Sequence, residues 1–236
     1  MTRLATRLKQ HGEEPETFAG LVQVLRFCGL LEESVAAHER AVALDPTIVT
    51  SVAHTHFLQA EFKRVLETYG GKRYYLDAAA WAAMGNGDHA RALLSARLTE
   101  PELSPLMSCL MTSLLAILEG RPDDATAIMQ TAEAIHEPEV LFYLARHFAM
   151  LGLGAPAVEM LRRARIGGFW CSRTLERDAA FAALRSQSEF GQELSEARSL
   201  EMQSDRALAA AFEGNFLAGV RAPLATAGAG LATRAL

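Results

Sequence analysis

The chain has 236 residues, half of them hydrophobic and 22% charged, with a formal net charge of −5 and an isoelectric point near 5.8. That length suits one large domain, two small ones or a continuous repeat array, with apolar residues enough for a sizeable core. The acidic balance argues against a nucleic-acid partner, because phosphate binding needs a concentrated excess of Lys and Arg.

Residues 1–10 (MTRLATRLKQ) are basic but hold no continuous apolar core, so they do not form a signal peptide, and a cytoplasmic protein is expected. Leu4 and Leu8 share a helical face that breaks at His11-Gly12. Residues 1–11 therefore read as the second half of a repeat, as expected of a chain that starts inside a longer array. Over 15–46, Phe18, Leu21, Val22 and Leu25 make one apolar helical face. Gly29 interrupts it, and a second face follows at Val35, His38, Ala41, Val42 and Leu44, closed by Asp45-Pro46. This is a helical hairpin, which cannot hide both its faces alone and needs neighbours stacked on it.

The motif recurs. Residues 47–70 carry Val49, Val52, Ala53 and His56, a turn near Ala60, and a shortened second helix over 61–69 that Gly70-Gly71 stops. Residues 71–99 carry Tyr74, Tyr75, Ala78 and Trp81, then Gly85-Asn86-Gly87, then Ala90, Leu93 and Leu94. Residues 101–136 hold the most apolar run (LMSCLMTSLLAIL), which is too short to span a bilayer. A turn at Gly120 follows, with Pro122 at the start of the next helix and Asp123-Asp124 at its positive dipole end. Residues 137–166 carry Leu141, Leu144, Ala145 and Phe148, turn at Gly152, and resume with Ala157, Met160, Leu161 and Ala164.

The turn residues 29, 60, 85, 120 and 152 stand 31, 25, 35 and 32 apart. A small residue follows four of them by five places, at Ser34, Ala90, Ala125 and Ala157, where the helices of a hairpin approach most closely. Val65 stands there in the atypical second repeat. Beyond 166 the pattern changes. Gly167-Gly168-Phe169-Trp170 is a break, 178–184 reads as a short helix with Phe181 and Leu184 inward, and 190–216 as a longer one. Residues 167–217 are expected to cap the array, with Glu193, Glu196, Arg198, Glu201, Gln203, Asp205 and Arg206 on the outer face. The Gly- and Ala-rich tail, 218–236, is expected to be disordered.

This aromatic, turn-Gly, small-residue and closing-Pro layout resembles the tetratricopeptide repeat. Several phrases are similar to the repeat-containing carboxy-terminal halves of bacterial signalling proteins, where such arrays follow a protein kinase, nucleotide cyclase or winged-helix domain. They are Arg26-Phe27-Cys28-Gly29-Leu30-Leu31-Glu32, Ala36-Ala37-His38-Glu39-Arg40-Ala41, Leu44-Asp45-Pro46, Thr50-Ser51-Val52-Ala53-His54-Thr55, Tyr143-Leu144-Ala145-Arg146-His147, and Gly167-Gly168-Phe169-Trp170 leading into Leu184-Arg185-Ser186. The resemblance spans roughly 1–217. It implies an all-α right-handed superhelical solenoid with a capping helix, serving as a binding or regulatory array. It implies no enzymatic role, because no catalytic domain accompanies the repeats in this chain.

Catalytic and metal chemistry find little support. Cys28, Cys109 and Cys171 are odd in number and far apart, with no CxxC, so neither a disulfide framework nor a zinc site is expected. His54 and His56, two apart on a helix, point to different faces and are poor joint ligands. His147 beside Arg146, and His89 beside Asp88, read as solvated surface. No phosphate-binding or zinc-protease motif occurs.

The functional surface of such an array is its concave wall, built by the first helix of each hairpin. Counted from the turns, the wall takes Gln23, Arg26 and Phe27, then His54 and Phe57, then Tyr75 and Ala79, then Leu110, Leu114 and Ile117, then Phe142, Arg146 and Met150. An apolar wall with an arginine near each end suits a protein or peptide segment with apolar anchors and an acidic group. The array's own C-terminal helix covering Leu110, Leu114 and Ile117 is the alternative. Ala19 and Gln23 stand where carboxylate-clamping members of the family carry Lys and Asn, which disfavours that mode. The expected function is thus a non-catalytic scaffold without cofactor, metal, membrane or nucleic-acid partner. An enzyme using the wall would need convergent acid and base residues, and a nucleic-acid binder would need a basic stripe.

Overall fold

The computed structural model describes residues 14–69, 75–101, 103–131, 135–213, 216 and 220. The half repeat expected at 1–11, Tyr74, the Gly70-Gly71 stop and all of the tail but Val220 lie outside the described residues. Among the described residues every regular element is a helix.

Helix α1 (Pro15–Phe27) starts with its proline at the first helical position, where the missing N–H costs nothing, and α2 (Leu31–Leu44) follows across Gly29. Next come α3 (Val52–Leu58) with α4 (Phe62–Thr68), α5 (Leu76–Ala83) with α6 (Gly87–Leu98), α7 (Pro105–Leu118) with α8 (Pro122–Gln130), and α9 (Pro138–Met150) with α10 (Gly154–Ile166). The members of each pair pack on one another, and most successive pairs also touch.

One local device makes every turn. At 29, 60, 85, 120 and 152 the backbone adopts a positive φ, between 60° and 85°. The next residue's N–H reaches five residues back, as in Leu30 N to Leu25 O at 2.9 Å and Leu153 N to Phe148 O at 2.9 Å. The turn residue's own N–H donates three residues back, as in Gly29 N to Arg26 O at 3.0 Å. This is the Schellman closure, which needs one left-handed residue and is cheapest with Gly. Ala60 stands alone among the five in carrying a side chain there. Ala60→Gly should therefore stabilise the chain by about 1 kcal/mol, read as a higher urea midpoint at unchanged slope. An unchanged midpoint would mean that the Ala60 backbone is not held in this conformation.

Ser34, Val65, Ala90, Ala125 and Ala157 are all fully buried between the paired helices. Where the other hairpins have a carbon atom, Ser34 satisfies its hydroxyl by donating to Val22 O at 2.7 Å and sits 2.9 Å from Thr55 Oγ1. Ala125→Leu should overpack the α7–α8 contact and cost about 1–3 kcal/mol, seen as a lower thermal midpoint. Melting identical to wild type would count against this contact.

After α10 the chain turns at Gly168 (φ +98°) and crosses back to the first hairpins. Trp170 N donates to Phe27 O at 2.9 Å, and the Phe169 ring stands edge-on to Phe27 at 5.2 Å. Helix α11 (Ser172–Arg177) is pinned by Thr174 Oγ1 donating to Leu58 O at 2.9 Å. A 3-10 helix (Ala179–Leu184) drops Phe181 against Phe142 and Phe190, and α12 (Ser188–Ala211) packs on α10 and α11. Glu193 departs from the expected polar outer face. It is buried, with Arg165 at 2.8 Å and Arg162 at 3.2 Å, because α12 lays that edge on the basic end of α10.

Candidate functional site

Helix α9 is buried along nearly its whole length, polar residues included. It packs against α7 and the 3-10 helix, and its side chains reach α1, α3 and Tyr75, the residue just before α5. Arg26 of α1 donates from Nε and Nη2 to both oxygens of Glu139, at 2.9 and 3.0 Å, and from Nη1 to Ser51 O and Oγ. His54 Nδ1 lies 3.0 Å from Tyr143 Oη and 3.3 Å from Glu139 Oε1. Burial by itself would raise the Glu139 carboxyl, but His54 and Arg26 outweigh it and hold the pKa down at about 2. His147 sits between Tyr75 Oη at 2.6 Å and Ser113 Oγ at 2.9 Å. Burial, with the Arg146 charge beside it, lowers its pKa to about 3.

These contacts revise the expected wall. Arg26, Phe57, Tyr75, Leu110, Leu114, Phe142 and Arg146 are buried, Phe27, His54 and Ile117 are half-buried, and Gln23 is exposed. Side chains of α9 meet Arg26, His54 and Tyr75 from the first three hairpins, so the facing side chains become one another's core. Helix α9 packs on α7, which carries Leu110, Leu114 and Ile117, in the place the alternative reading gave to the C-terminal helix. His147 is fully buried rather than solvated, and His89 is exposed, its ring edge-on to Trp81 at 4.7 Å.

The open site lies at the edge of this interior. A cleft of about 510 Å³ runs between the α3–α4 turn and the α11 segment. Leu31, Phe57, Leu58, Phe62 and Ala83 give it apolar surface, and Glu32, Glu61, Arg173 and Arg177 line it with charge. Arg146 reaches it from α9, with its guanidinium 5.2 Å from the Phe57 ring centre and Nε donating to Asp178 Oδ2 at 2.7 Å. Asp178 also caps the 3-10 helix by accepting from Ala180 N at 2.9 Å. Arg146 thereby ties the returning segment to the hairpins and positions one wall of the cleft.

Of the expected residues, only Phe57 and Arg146 line this cleft. Leu31, Phe62, Arg173 and Arg177 escape a count along first helices because they sit at turns and in the return segment. The Gly-Gly-aromatic break at 167–170 is the sequence signal that marks that return.

A second pocket of about 190 Å³ includes His54, Tyr75, Leu110, Glu137, Glu139 and Tyr143. This brings an imidazole and carboxylates together from different repeats, which spacing along the chain does not reveal. Among the described residues, no group of three or more His, Cys, Asp or Glu is placed to hold a metal ion. Among the same residues, no helix is long and apolar enough to cross a membrane. Comparison with family models, with curated proteins and with solved structures yields no match, so the hairpins and the cleft themselves carry the functional reading.

Proposed function

We propose that this chain is a tetratricopeptide-type superhelical array and acts as a non-catalytic, cytoplasmic scaffold that binds a segment of another protein. It would serve as the regulatory part of a larger bacterial signalling system. The observation that carries this reading is the cleft of about 510 Å³, with apolar surface from Leu31, Phe57, Leu58, Phe62 and Ala83 and charged residues around it. A buried apolar anchor surrounded by polar contacts is how such surfaces hold an extended segment. The reading moves the docking site from the concave wall to this cleft. Phe57, Tyr75 and Arg146 are buried, so replacing them tests the fold rather than docking.

A peptide library displayed on phage and selected against the purified chain should enrich sequences with a bulky apolar residue. Ala83 is exposed on the cleft, and Ala83→Trp should fill the space and weaken the enriched peptides about tenfold or more. No enrichment, or binding indifferent to Ala83→Trp, overturns the reading.

Phosphate binding is opposed by the burial of Arg26 and Arg146 in ion pairs with Glu139 and Asp178. A second reading, an enzyme, draws on His54 next to Glu139 in the pocket of about 190 Å³, an arrangement that orients an imidazole as a general base. Against it, the same carboxylate is already held by two nitrogens of Arg26, Nε and Nη2. Turnover of chromogenic esters that His54→Gln abolishes would favour the enzyme.

A further inference from the structure

The cleft just described has a neighbour. Next to it lies a further cleft of about 210 Å³, lined by Glu33, Glu201, Met202 and Asp205 among others. The two share Leu31, Glu32 and Arg173. Glu32 and Arg173 form an ion pair at 3.3 Å, both side chains more than half exposed, so an occupant can displace it at little cost.

The two clefts differ in charge. In the smaller one the carboxylates of Glu32, Glu33, Glu201 and Asp205 face Arg173 and Arg198, and Arg198 is engaged by Glu176. Burial raises the Glu33 carboxyl, and the charges of Glu32 and Asp205 add to the rise against the lowering by a backbone hydrogen bond and by Arg173. Met202, 51% exposed, adds an apolar contact. In the larger cleft Arg146 is taken by Asp178, whereas Arg177 makes no ion pair among the described residues. Arg177 stands one helical turn beyond Arg173 along α11 and lines the larger cleft alone, beside its apolar surface, whereas Arg173 lines both clefts.

Building on the scaffold reading, we propose that the two clefts are a single groove for an extended segment of a partner protein, with a basic residue, a bulky apolar anchor and an acidic residue in that spatial order. The basic residue meets Glu33 and Asp205, the anchor enters the larger cleft and the acidic residue meets Arg177. Charge complementarity selects this occupant over a nucleic acid, whose phosphates the carboxylates would repel.

The test uses the full chain and fluorescent peptides read by anisotropy. The probes carry Lys-Lys on one side of a Leu-Phe anchor and Glu-Glu on the other, in both chain directions, with controls in which Ser replaces every charge or Glu replaces every Lys. One direction of the patterned peptide should bind about tenfold tighter than the Ser control. Asp205→Lys should reverse the preference toward the all-Glu peptide, and Arg177→Glu should remove the contribution of the Glu-Glu end. Both positions are exposed, and circular dichroism checks that the variants fold. Equal binding of all the peptides, still lost in Ala83→Trp, would overturn the charge order while leaving the scaffold reading standing. Self-association in sedimentation that Asp205→Lys abolishes would assign the groove to a second copy of the chain and overturn the proposal.

Discussion

Arg26→Met should destabilise the chain by about 3–5 kcal/mol, the cost of leaving one member of a buried ion pair without its partner. Arg26 and Glu139 are both buried and are joined by two hydrogen bonds, and Nη1 of the same guanidinium holds Ser51. The substitution would thus loosen the first, second and fifth hairpins together. The measurement is the urea midpoint at constant slope, and a shift worth less than about 1 kcal/mol would show that the pair does not form. Arg26→Met combined with Glu139→Leu should recover most of the loss, because the buried charge goes with its partner. The sign with pH follows from the folded pKa of Glu139 at about 2 against an ordinary 4.5. The stabilisation is fully present above 4.5 and is lost as pH falls toward 2, amounting to about 3 kcal/mol.

The chain should also weaken well before that carboxylate titrates, because of His147. The Ser113 hydroxyl has one proton and donates it to Cys109 O at 2.7 Å. Its oxygen therefore accepts from His147 Nδ1–H, and His147 Nε2 is left to accept from the Tyr75 hydroxyl. A second proton on this buried ring would have to displace the Tyr75 bond. The folded pKa is about 3 against an ordinary 6.5, so below 6.5 the unfolded chain takes up a proton that the folded one refuses. Stability should fall by about 1.4 kcal/mol per pH unit between those values, or about 3 kcal/mol by pH 4.5. His147→Gln keeps a donor and an acceptor but does not titrate. Unfolding free energies from pH 7 to 4.5 should lose one proton's worth of slope in that variant, and identical slopes would refute the assignment.

How much was legible before the structure varied with the range of the interactions involved. The turn at Gly152 and the close contact at Ala157 follow from Gly, period and side-chain size within one hairpin, and both stand where spacing places them. Arg26, His147 and Glu193 were less readable. Each is polar and carries no periodic signal of burial, yet each is sheltered by partners distant in the chain. Glu139 lies 113 residues from Arg26, Tyr75 lies 72 from His147, and Arg165 lies 28 from Glu193.

The sequence by itself determined the hairpins, their turn residues and which small side chains lie between paired helices. A left-handed turn and an i-to-i+4 ladder answer to residues a few places away. Only the tertiary structure decided that α9 is buried against partners from the first three hairpins, and that the open cleft forms where residues 172–179 return to the α3–α4 turn. That outcome depends on contacts between residues far apart in the chain, such as Arg26 with Glu139 and Thr174 with Leu58, which leave no trace in any single hairpin.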